Sequence, residues 1–546
     1  RMMDMGIPVF TAGVTSNGHE FTNFTQVPMK EGATAGQIVL DWMKAKGLDI
    51  KVFAVSGGGA MHLVDALGTN DRLHYVATHH EQAAAMAAEA NARVTHRPGV
   101  ALVTSGPGGT NALTGVCGAW IDSIPTVYVS GQVTTNTLIA KTGLRQFGIQ
   151  ESDIVTIMKS VTKYAVTIKD PKTIRYHLEK AIHLATSGRP GPVWLDVPLD
   201  VQSVLVEPMR LKGFIPVKPN EGAERAELRR AAAQALEMIR RAKRPVLISG
   251  YGIRLAKGVD VYRQLIKILG MPIVSSWTSS DLVDSDDPLY VGRSGIFGDR
   301  ASNFAVQNAD LLLVLGSRLS IPQTGYNQKV FARGAKKIMV DIDPREIHKP
   351  SFRIDLPVVG DARLFMEELL ALARRSRLRP RGAWVKRCRE WKKRYPVVLE
   401  AYRKAPKLVN SFYFIDELSR RLGRDAVVGT DMGTSFTCTM QTFKTKFGQR
   451  LFTSSGHASM GFGLPGAIGA CFGSGLKKTV CVAGDGALQM NIQELQTLAH
   501  YKLPVILFVL NNQGYLTIKL MQQNHFGRYV GSDPSIGVSC PDIVLV

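Results

Sequence analysis

The sequence predicts an α/β protein built from three doubly wound parallel-sheet domains. Short apolar strand-like runs alternate with helical segments along the chain, the pattern of parallel sheets with helices on both faces. The chain has 546 residues, more than one ordinary domain, and 45% hydrophobic with 21% charged residues supply ample globular core. The clearest single unit runs VCVA, Gly-Asp-Gly, a helix, then PVILFVL ending in Asn511-Asn512. A right-handed crossover of this kind brings both strand ends to one edge of a parallel sheet, where ligands bind.

Residues 1–29 read as an N-terminal arm; their start lacks the basic-then-apolar order of a secretory signal. The first domain covers 30–205, from ATAGQIVLDWMKAKG to the Pro-bounded VWLDVPLDVQ. A polar, Pro-containing connection leads to the second, 220–375. A basic linker, 376–404, and the segment KAPKLVNSF introduce the third, 405–546. No short-period repeat or low-complexity tract interrupts this order.

No apolar run reaches membrane-spanning length without Gly, Pro or charge, so no membrane partner is expected. Six scattered cysteines show no metal-ligand spacing, which reads as buried thiols in a reducing, cytoplasmic compartment. The net charge is +22. Between Arg374 and Arg394, eleven basic residues face one acid. Such a stretch is compatible with nucleic-acid binding, but no recognition module accompanies it. A solvated linker and helix, with Trp384 and Trp391 packed inward, is the preferred reading, and no nucleic-acid partner is expected. A basic surface also attracts phosphorylated cofactors and anionic substrates.

Three groups of residues carry candidate chemistry. In the third domain, the crossover brings Asp485 and Asn512 together although 27 positions separate them. A carboxylate plus an amide carbonyl suits a hard cation such as Mg²⁺, which in turn holds diphosphate oxygens. Gly484 and Gly486 let backbone N–H groups approach those oxygens, and a helix beginning near Ala487 adds its positive end. In the first domain, His79-His80-Glu81-Gln82 follows the strand-like LHYVAT and precedes an Ala-rich helix. Taken alone, Glu81 is equally a first-turn acid favoured by the helix dipole. In the second domain, strands end in Gly-rich or acidic turns: LISGYGIRLA, VGRSGIFGDRASN, LLLVLGSRLS, IMVDIDPREIHK and VVGDAR. Such turns can cradle a pyrophosphate, pair an Arg with phosphate and hold a ribose; many doubly wound sheets carry them and bind nothing.

The Gly-Asp-Gly to Asn-Asn spacing resembles the motif of the thiamine diphosphate (ThDP)-dependent decarboxylase and carboligase family. FAVSGGGAMHLVDAL, HHEQAAAMAAEANAR, VALVTSGPGGTNALTGVCGAWIDSIPTVYVSGQV, RQFGIQES and ATSGRPGPVWLDVPLDVQ occur in the order found in acetolactate synthase-like members. The resemblance runs from about Asp41 to the end. It implies pyrimidine-binding, central and diphosphate-binding domains, and a homodimer or homotetramer whose active site takes Glu81 from one subunit and the diphosphate site from its partner. Glu81 would be the carboxylate that activates the cofactor, with Pro107 and Asn111 lining the aminopyrimidine and Gln150 close to the reacting carbon. Gly433, Thr434 and Ser435 would lie near the diphosphate and Met460 beside the ring system. Asp485 and Asn512 would ligate Mg²⁺ by side chain, Gly514 by its carbonyl. In that branch the central domain holds FAD without net redox work, implicating Gly250, Gly252, Gly298, Gly316, Arg318, Asp341, Asp343 and Asp361. A vestigial or ADP-type site is the alternative.

The implied reaction is decarboxylation of a 2-keto acid, pyruvate being the expected donor, and transfer of the acyl-anion equivalent to a second carbonyl. Where acetolactate synthases carry a Trp that shapes acceptor choice, a gapless reading puts Met521. GYLTIKLMQQNHFG, FAVSGGGAMHL and RQFGIQE look more like the deoxysugar-branching carboligases, whose acceptor is a nucleotide-linked 4-keto sugar. A true acetolactate synthase, a simple 2-keto acid decarboxylase and a flavin-dependent oxidase of the pyruvate oxidase type remain alternatives. The family continues past the segment resembling SDPSIGVSCPDIV, so the third domain is expected to be incomplete at its C-terminus.

Overall fold

The computed structural model describes residues 51–69, 73–139, 142–207, 210–217, 221–404 and 408–540. The arm 1–29, the expected start of the first domain at 30 and the last six residues lie outside the described residues. Three sheets follow one another along the chain. β1 (Lys51–Ala54), β2 (His74–Ala77), β3 (Gly99–Val103), β4 (Thr126–Gln132), β5 (Tyr164–Thr167) and β6 (Pro192–Pro198) form the first, in the order β2-β1-β3-β4-β6-β5. β7 (Pro245–Ser249), β8 (Ile273–Ser275), β9 (Tyr290–Arg293), β10 (Leu311–Leu315), β11 (Lys336–Asp341) and β12 (Leu356–Val359) form the second, in the order β12-β11-β10-β7-β8-β9. β13 (Val427–Thr430), β14 (Arg450–Phe452), β15 (Thr479–Gly484) and β16 (Val505–Leu510) form the third, in the order β14-β13-β15-β16.

Among the described residues the strands of the three sheets pair in parallel, and the central strands GVALV, PVLIS and LLLVL are buried throughout. That is why they read as continuous apolar runs rather than alternating ones: helices cover both faces. The winding reverses between β1 and β3, between β7 and β10, and between β13 and β15, and the first sheet turns back again where β6 inserts between β4 and β5. At such a point the strand-end loops diverge and leave a crevice. All three candidate groups lie at these edges.

The first and third domains dock helix to helix. Helix Glu81–Thr95 is Ala-rich, and Ala83 to Arg93 are buried along it. Ala is the best helix former and lets another backbone come close. The partner helix is the glycine-rich Gly463–Gly473. A Cβ at Gly469 would overlap the Ala87 carbonyl oxygen, so only glycine permits this approach. Asn91 Nδ2 donates to Gly469 O at 3.2 Å across the seam.

The middle domain joins them through buried charge. Arg93 pairs with Glu89 at 2.5 Å and with Asp122 at 2.6 Å. Arg450 donates to Arg93 O at 2.7 Å and pairs with Asp281, which also takes Arg254 at 2.9 Å. Helix Gly382–Arg394, from the basic segment, packs on the second sheet. Trp384 Nε1 donates to Pro245 O at 3.1 Å, while its last-turn Lys and Arg side chains sit at the favourable negative end of the helix. Among the described residues no helix is long and apolar enough to cross a membrane.

Candidate active site

The first sheet builds one half of a site at its C-terminal edge. After β2 the chain turns and Glu81 becomes the first residue of its helix, capped by His80 Nδ1, which accepts from Gln82 N at 3.1 Å. Asn111 Nδ2 donates to Glu81 Oε2 at 3.0 Å. Asn111 lies one turn into the helix Pro107–Asp122, with Pro107 at its first position, where a missing N–H costs nothing. Gly106 precedes it at φ +54°, and a Cβ there would overlap the Gln150 carbonyl oxygen. The loop carrying Gln150 therefore rests on Gly106, and Glu81, Pro107, Asn111 and Gln150 share one edge.

Glu151, which the sequence reading passed over, folds that loop. It is buried and accepts from the N–H groups of Ile139, Phe147 and Gly148, the last at 3.0 Å. Its signal was its position beside Gln150: an acid among amides that an exposed loop must satisfy somewhere.

The third sheet builds the other half. Asp431 directly follows β13, and Gly433 at φ +89° turns the chain into helix Thr434–Thr442. Asp431 is buried and accepts from Met432 N at 2.7 Å, Gly461 N at 3.0 Å and Gly463 N at 2.7 Å. It thereby stitches the Gly433 turn to the loop of Met460, and burial pushes its carboxyl up to about 6. Ser435 Oγ donates to Asp431 O at 3.1 Å, so that hydroxyl serves the turn itself. Asp431 too was missed in the sequence, although an acid at a strand end before a glycine is the available signal.

β15 ends at Gly484 beside Leu510 of β16. The helix starts at Asp485, not near Ala487, and stops at Leu488. Gly484 is still extended, at φ −83° and ψ 156°, so helical geometry begins with the very next residue. A 3₁₀ turn, Gln489–Asn491, and a second helix, Glu494–His500, replace the single amphipathic helix expected. Gly514 N donates to Asp485 Oδ2 at 3.0 Å. Asp485 Oδ1 and Asn512 Oδ1 are both buried without a hydrogen-bond partner. A Cβ at Gly486 would lie 2.5 Å from the Tyr515 ring and 3.7 Å from Gly514 O, which brings that carbonyl to the same turn.

Two buried acceptor oxygens without donors are costly unless a cation or donor completes them. An all-oxygen set of carboxylate, amide and backbone carbonyl fits Mg²⁺. Among the described residues, His, Cys, Asp and Glu alone form no group of three that could hold a metal; this set depends on Asn512 and a carbonyl, and on ligand oxygens from outside the chain.

A cavity of about 800 Å³ lies at the β7–β10 reversal, walled by the central domain together with Arg93, Asp122 and Arg189 of the first domain and Ser455 of the third, within the size range of cofactor pockets. Gly252, Gly316, Arg318, Asp341 and Asp361 line it, with Tyr251 and Trp277. Burial raises the Asp341 carboxyl, whose Oδ1 accepts from Asp343 N at 3.0 Å. Asp361 Oδ1 caps the helix Ala362–Arg374 through Arg363 N and Leu364 N. Gly250, Gly298 and Asp343 do not line the cavity. A Cβ at Gly250 would overlap Gly316 O, one at Gly298 would lie 2.5 Å from Arg293 O, and Asp343 is taken up by Arg345 N and Arg189 at 3.0 Å each. These three shape the turns behind the wall. A cavity of this size with Gly turns at strand ends, an arginine and acids fits a dinucleotide such as FAD.

The chain matches three models of known families. Residues 33–157 match the thiamine pyrophosphate enzyme N-terminal TPP binding domain, 232–369 the central domain and 431–545 the C-terminal TPP binding domain. A probable acetolactate synthase large subunit of Methanocaldococcus jannaschii is 32% identical over 517 residues, 93% of this chain and 85% of that protein. The acetolactate synthase large subunit of Parasynechococcus marenigrum is 34% identical over 522 residues, 93% of this chain and 81% of the relative. Isozyme 3 of Escherichia coli is 34% identical over 506 residues, covering 90% and 84%. The expected three domains, their order and their sheet class agree with these matches. The chain belongs to the ThDP-dependent, carbon–carbon bond-forming enzymes of the acetolactate synthase-like family.

Proposed function

We propose that this chain decarboxylates a 2-keto acid, with pyruvate as donor, and transfers the acyl-anion equivalent to a second carbonyl, using ThDP held through Mg²⁺. The observation that carries this reading is the pair of buried oxygens on Asp485 and Asn512 that lack a donor. Asp485, Asn512 and the Gly514 carbonyl are the proposed metal ligands. Gly433, Thr434, Ser435, Gly484, Gly486 and Ala487 offer backbone groups to the diphosphate, Thr434 its hydroxyl as well, and Met460 packs beside the rings. When bound, ThDP supplies a nucleophilic carbon and an electron sink.

Glu81 is the proposed activating carboxylate. Asn111 occupies its Oε2, which leaves Oε1 to hold and return a proton at the aminopyrimidine, against a wall of Pro107 and Asn111. Gln150 is the second proposed catalytic residue, held near the donor by the loop that Glu151 ties. The smallest active unit is a homodimer, one subunit contributing Glu81 and its partner the diphosphate site; a homotetramer would pair two such units. FAD is proposed for the central cavity, without net redox work.

The relatives are named acetolactate synthases, which favours a second 2-keto acid as acceptor. A nucleotide 4-keto deoxysugar is a second reading, favoured by the segment around Met521. Met521 is 57% exposed on helix Leu516–Phe526, which buries none of its own residues. The net charge of +22 suits a diphosphate-bearing acceptor as well.

The test is incubation with ThDP, Mg²⁺ and pyruvate, with and without a nucleotide 4-keto sugar, followed by mass spectrometry. Acetolactate unchanged by the sugar supports the acetolactate synthase reading. An acetylated sugar formed at acetolactate's expense supports the sugar reading. Acetaldehyde or acetate alone overturns carboligation in favour of a decarboxylase or a flavin oxidase.

A further inference from the structure

The order of the first sheet makes β2 an edge strand. Its Thr78 N–H turns inward to Ala54 O at 3.0 Å, so the N–H groups of Ala77 and His79 turn outward. Outward edge donors are ordinarily left to water or blunted by charge. Here the third domain of the same chain takes both. Ala77 N donates to the Tyr501 hydroxyl at 2.8 Å, and His79 N to Glu494 Oε1 at 2.9 Å. His79 Nδ1 lies 3.1 Å from Thr497 Oγ1, and Thr497 donates to Glu494 Oε2 at 2.6 Å. Beyond Glu81, Gln82 Oε1 accepts from Asn491 Nδ2 at 3.0 Å. The turn from Ala77 to Gln82, with Glu81 inside it, is thus held from both sides by one helical segment.

Domain docking does not require this arrangement. The first and third domains already meet through the Gly469–Ala87 backbone contact and Asn91. Glu494 is fully buried, and burial raises its carboxyl. Burying an acid against an edge that water could satisfy is a cost that docking leaves unexplained. A fixed direction for the Glu81 side chain explains it, because a catalytic group needs its supports held to a fraction of an ångström.

We infer that Glu494 and Tyr501, with Thr497, are positioning residues that aim Glu81 by clamping the outer edge of β2. The inference rests on Glu81 being the activating carboxylate. Its test is the exchange of the C2 proton of bound ThDP for deuterium, quenched and read by NMR on the Mg-loaded full chain, alongside ThDP affinity, thermal melting and amide exchange over residues 74–82. Glu494→Ala is expected to slow C2 exchange about tenfold, with ThDP affinity within about threefold and faster amide exchange at Ala77 and His79. Glu494→Gln keeps an acceptor for His79 N and should return C2 exchange to within about threefold of the parent. Tyr501→Phe removes one acceptor but keeps the ring against Phe472, so it should fold and slow exchange by an intermediate factor even where the Ala variant does not fold.

Parental C2 exchange in Tyr501→Phe and Glu494→Ala overturns the inference. So does a loss matched by lost ThDP affinity and melting temperature with no rescue by Gln, which would mark a structural role only. Glu81→Gln is the separate control: parental C2 exchange there overturns the Glu81 assignment itself, and the clamp with it.

Discussion

Asp485 and Asn512 stand just beyond the ends of two adjacent parallel strands, and each buries its Oδ1 without a donor. Folding without a cation leaves those oxygens uncompensated, which makes the pair a place where stability and ligand binding oppose each other. Asp485→Asn removes the buried charge while keeping the shape. The metal-free protein should then be more stable by about 1–2 kcal/mol. The same variant should bind ThDP with Mg²⁺ at least about tenfold more weakly, since a metal ligand is gone. Thermal melts with and without the cofactor check both signs; a variant that still gains the parental stabilisation from Mg-ThDP removes Asp485 from the metal site.

Gly106 and Gln150 give a second prediction. Gly106 sits at φ +54° with the Gln150 carbonyl against its Cα. Gly106→Ala must move the loop and adopt a backbone that side chains disfavour, for about 1–3 kcal/mol locally. The loop is exposed at Gln150, so most of that cost should appear as misplacement of Gln150 rather than as global unfolding. A fall in kcat/KM for the 2-keto acid of about tenfold or more, with melting changed by only a few degrees, is expected. Unchanged kcat/KM would take Gln150 away from the donor.

The fold class was legible because parallel strands covered on both faces keep their apolar character whatever the tertiary context, as LLLVL and PVLIS do. The positions of Glu81 and Asp485 were legible because Glu81 opens the helix four residues beyond β2 and Asp485 directly follows β15, so that a nearby strand end dictates each position in space. The supports were not. Asp431, Glu151 and Glu494 take their partners from loops and from another domain, and nothing local in their sequence encodes those contacts. The single helix expected after Gly486 failed for a related reason: Gln489–Asn491 tightens into a 3₁₀ turn where Asn491 Nδ2 reaches Gly461 O at 2.8 Å and Gln82. Gly250, Gly252 and Gly316 carried a partly misleading signal, since a phosphate cradle and a close backbone crossing ask for the same residue.

The docking of the first and third domains should fail at one atom. Gly469→Ala adds a methyl group where the Ala87 carbonyl oxygen already sits. Both partners are helix backbone, which cannot rotate aside as a side chain would. Overpacking of this kind costs about 1–3 kcal/mol or more, and the Asn91 bond to Gly469 O goes with it. Urea unfolding should show a lower midpoint, with faster amide exchange along Ala83 to Arg93. A variant as stable as the parent would mean that the two helices separate freely.

Asp196 supplies a pH signature that belongs to the fold alone. It lies on β6 with its carboxyl buried among Ser130 Oγ at 2.7 Å, Thr167 Oγ1 at 2.9 Å and Gln132 Nε2 at 3.2 Å. Burial outweighs those donors and pushes the carboxyl from 3.8 up to about 7. The folded chain therefore keeps a proton there over a range in which the unfolded chain has released it. Stability from this group is complete below about pH 4 and is lost as pH rises through about 7, by at most about 4 kcal/mol. Asp196→Asn cannot ionise and keeps the shape, so it should lose less stability than the parent between about pH 5 and about pH 8. Urea titrations of both proteins at the two ends give the difference directly. Equal losses would mean that Asp196 ionises in the folded chain as it does in the unfolded one, and that its three donors outweigh the burial.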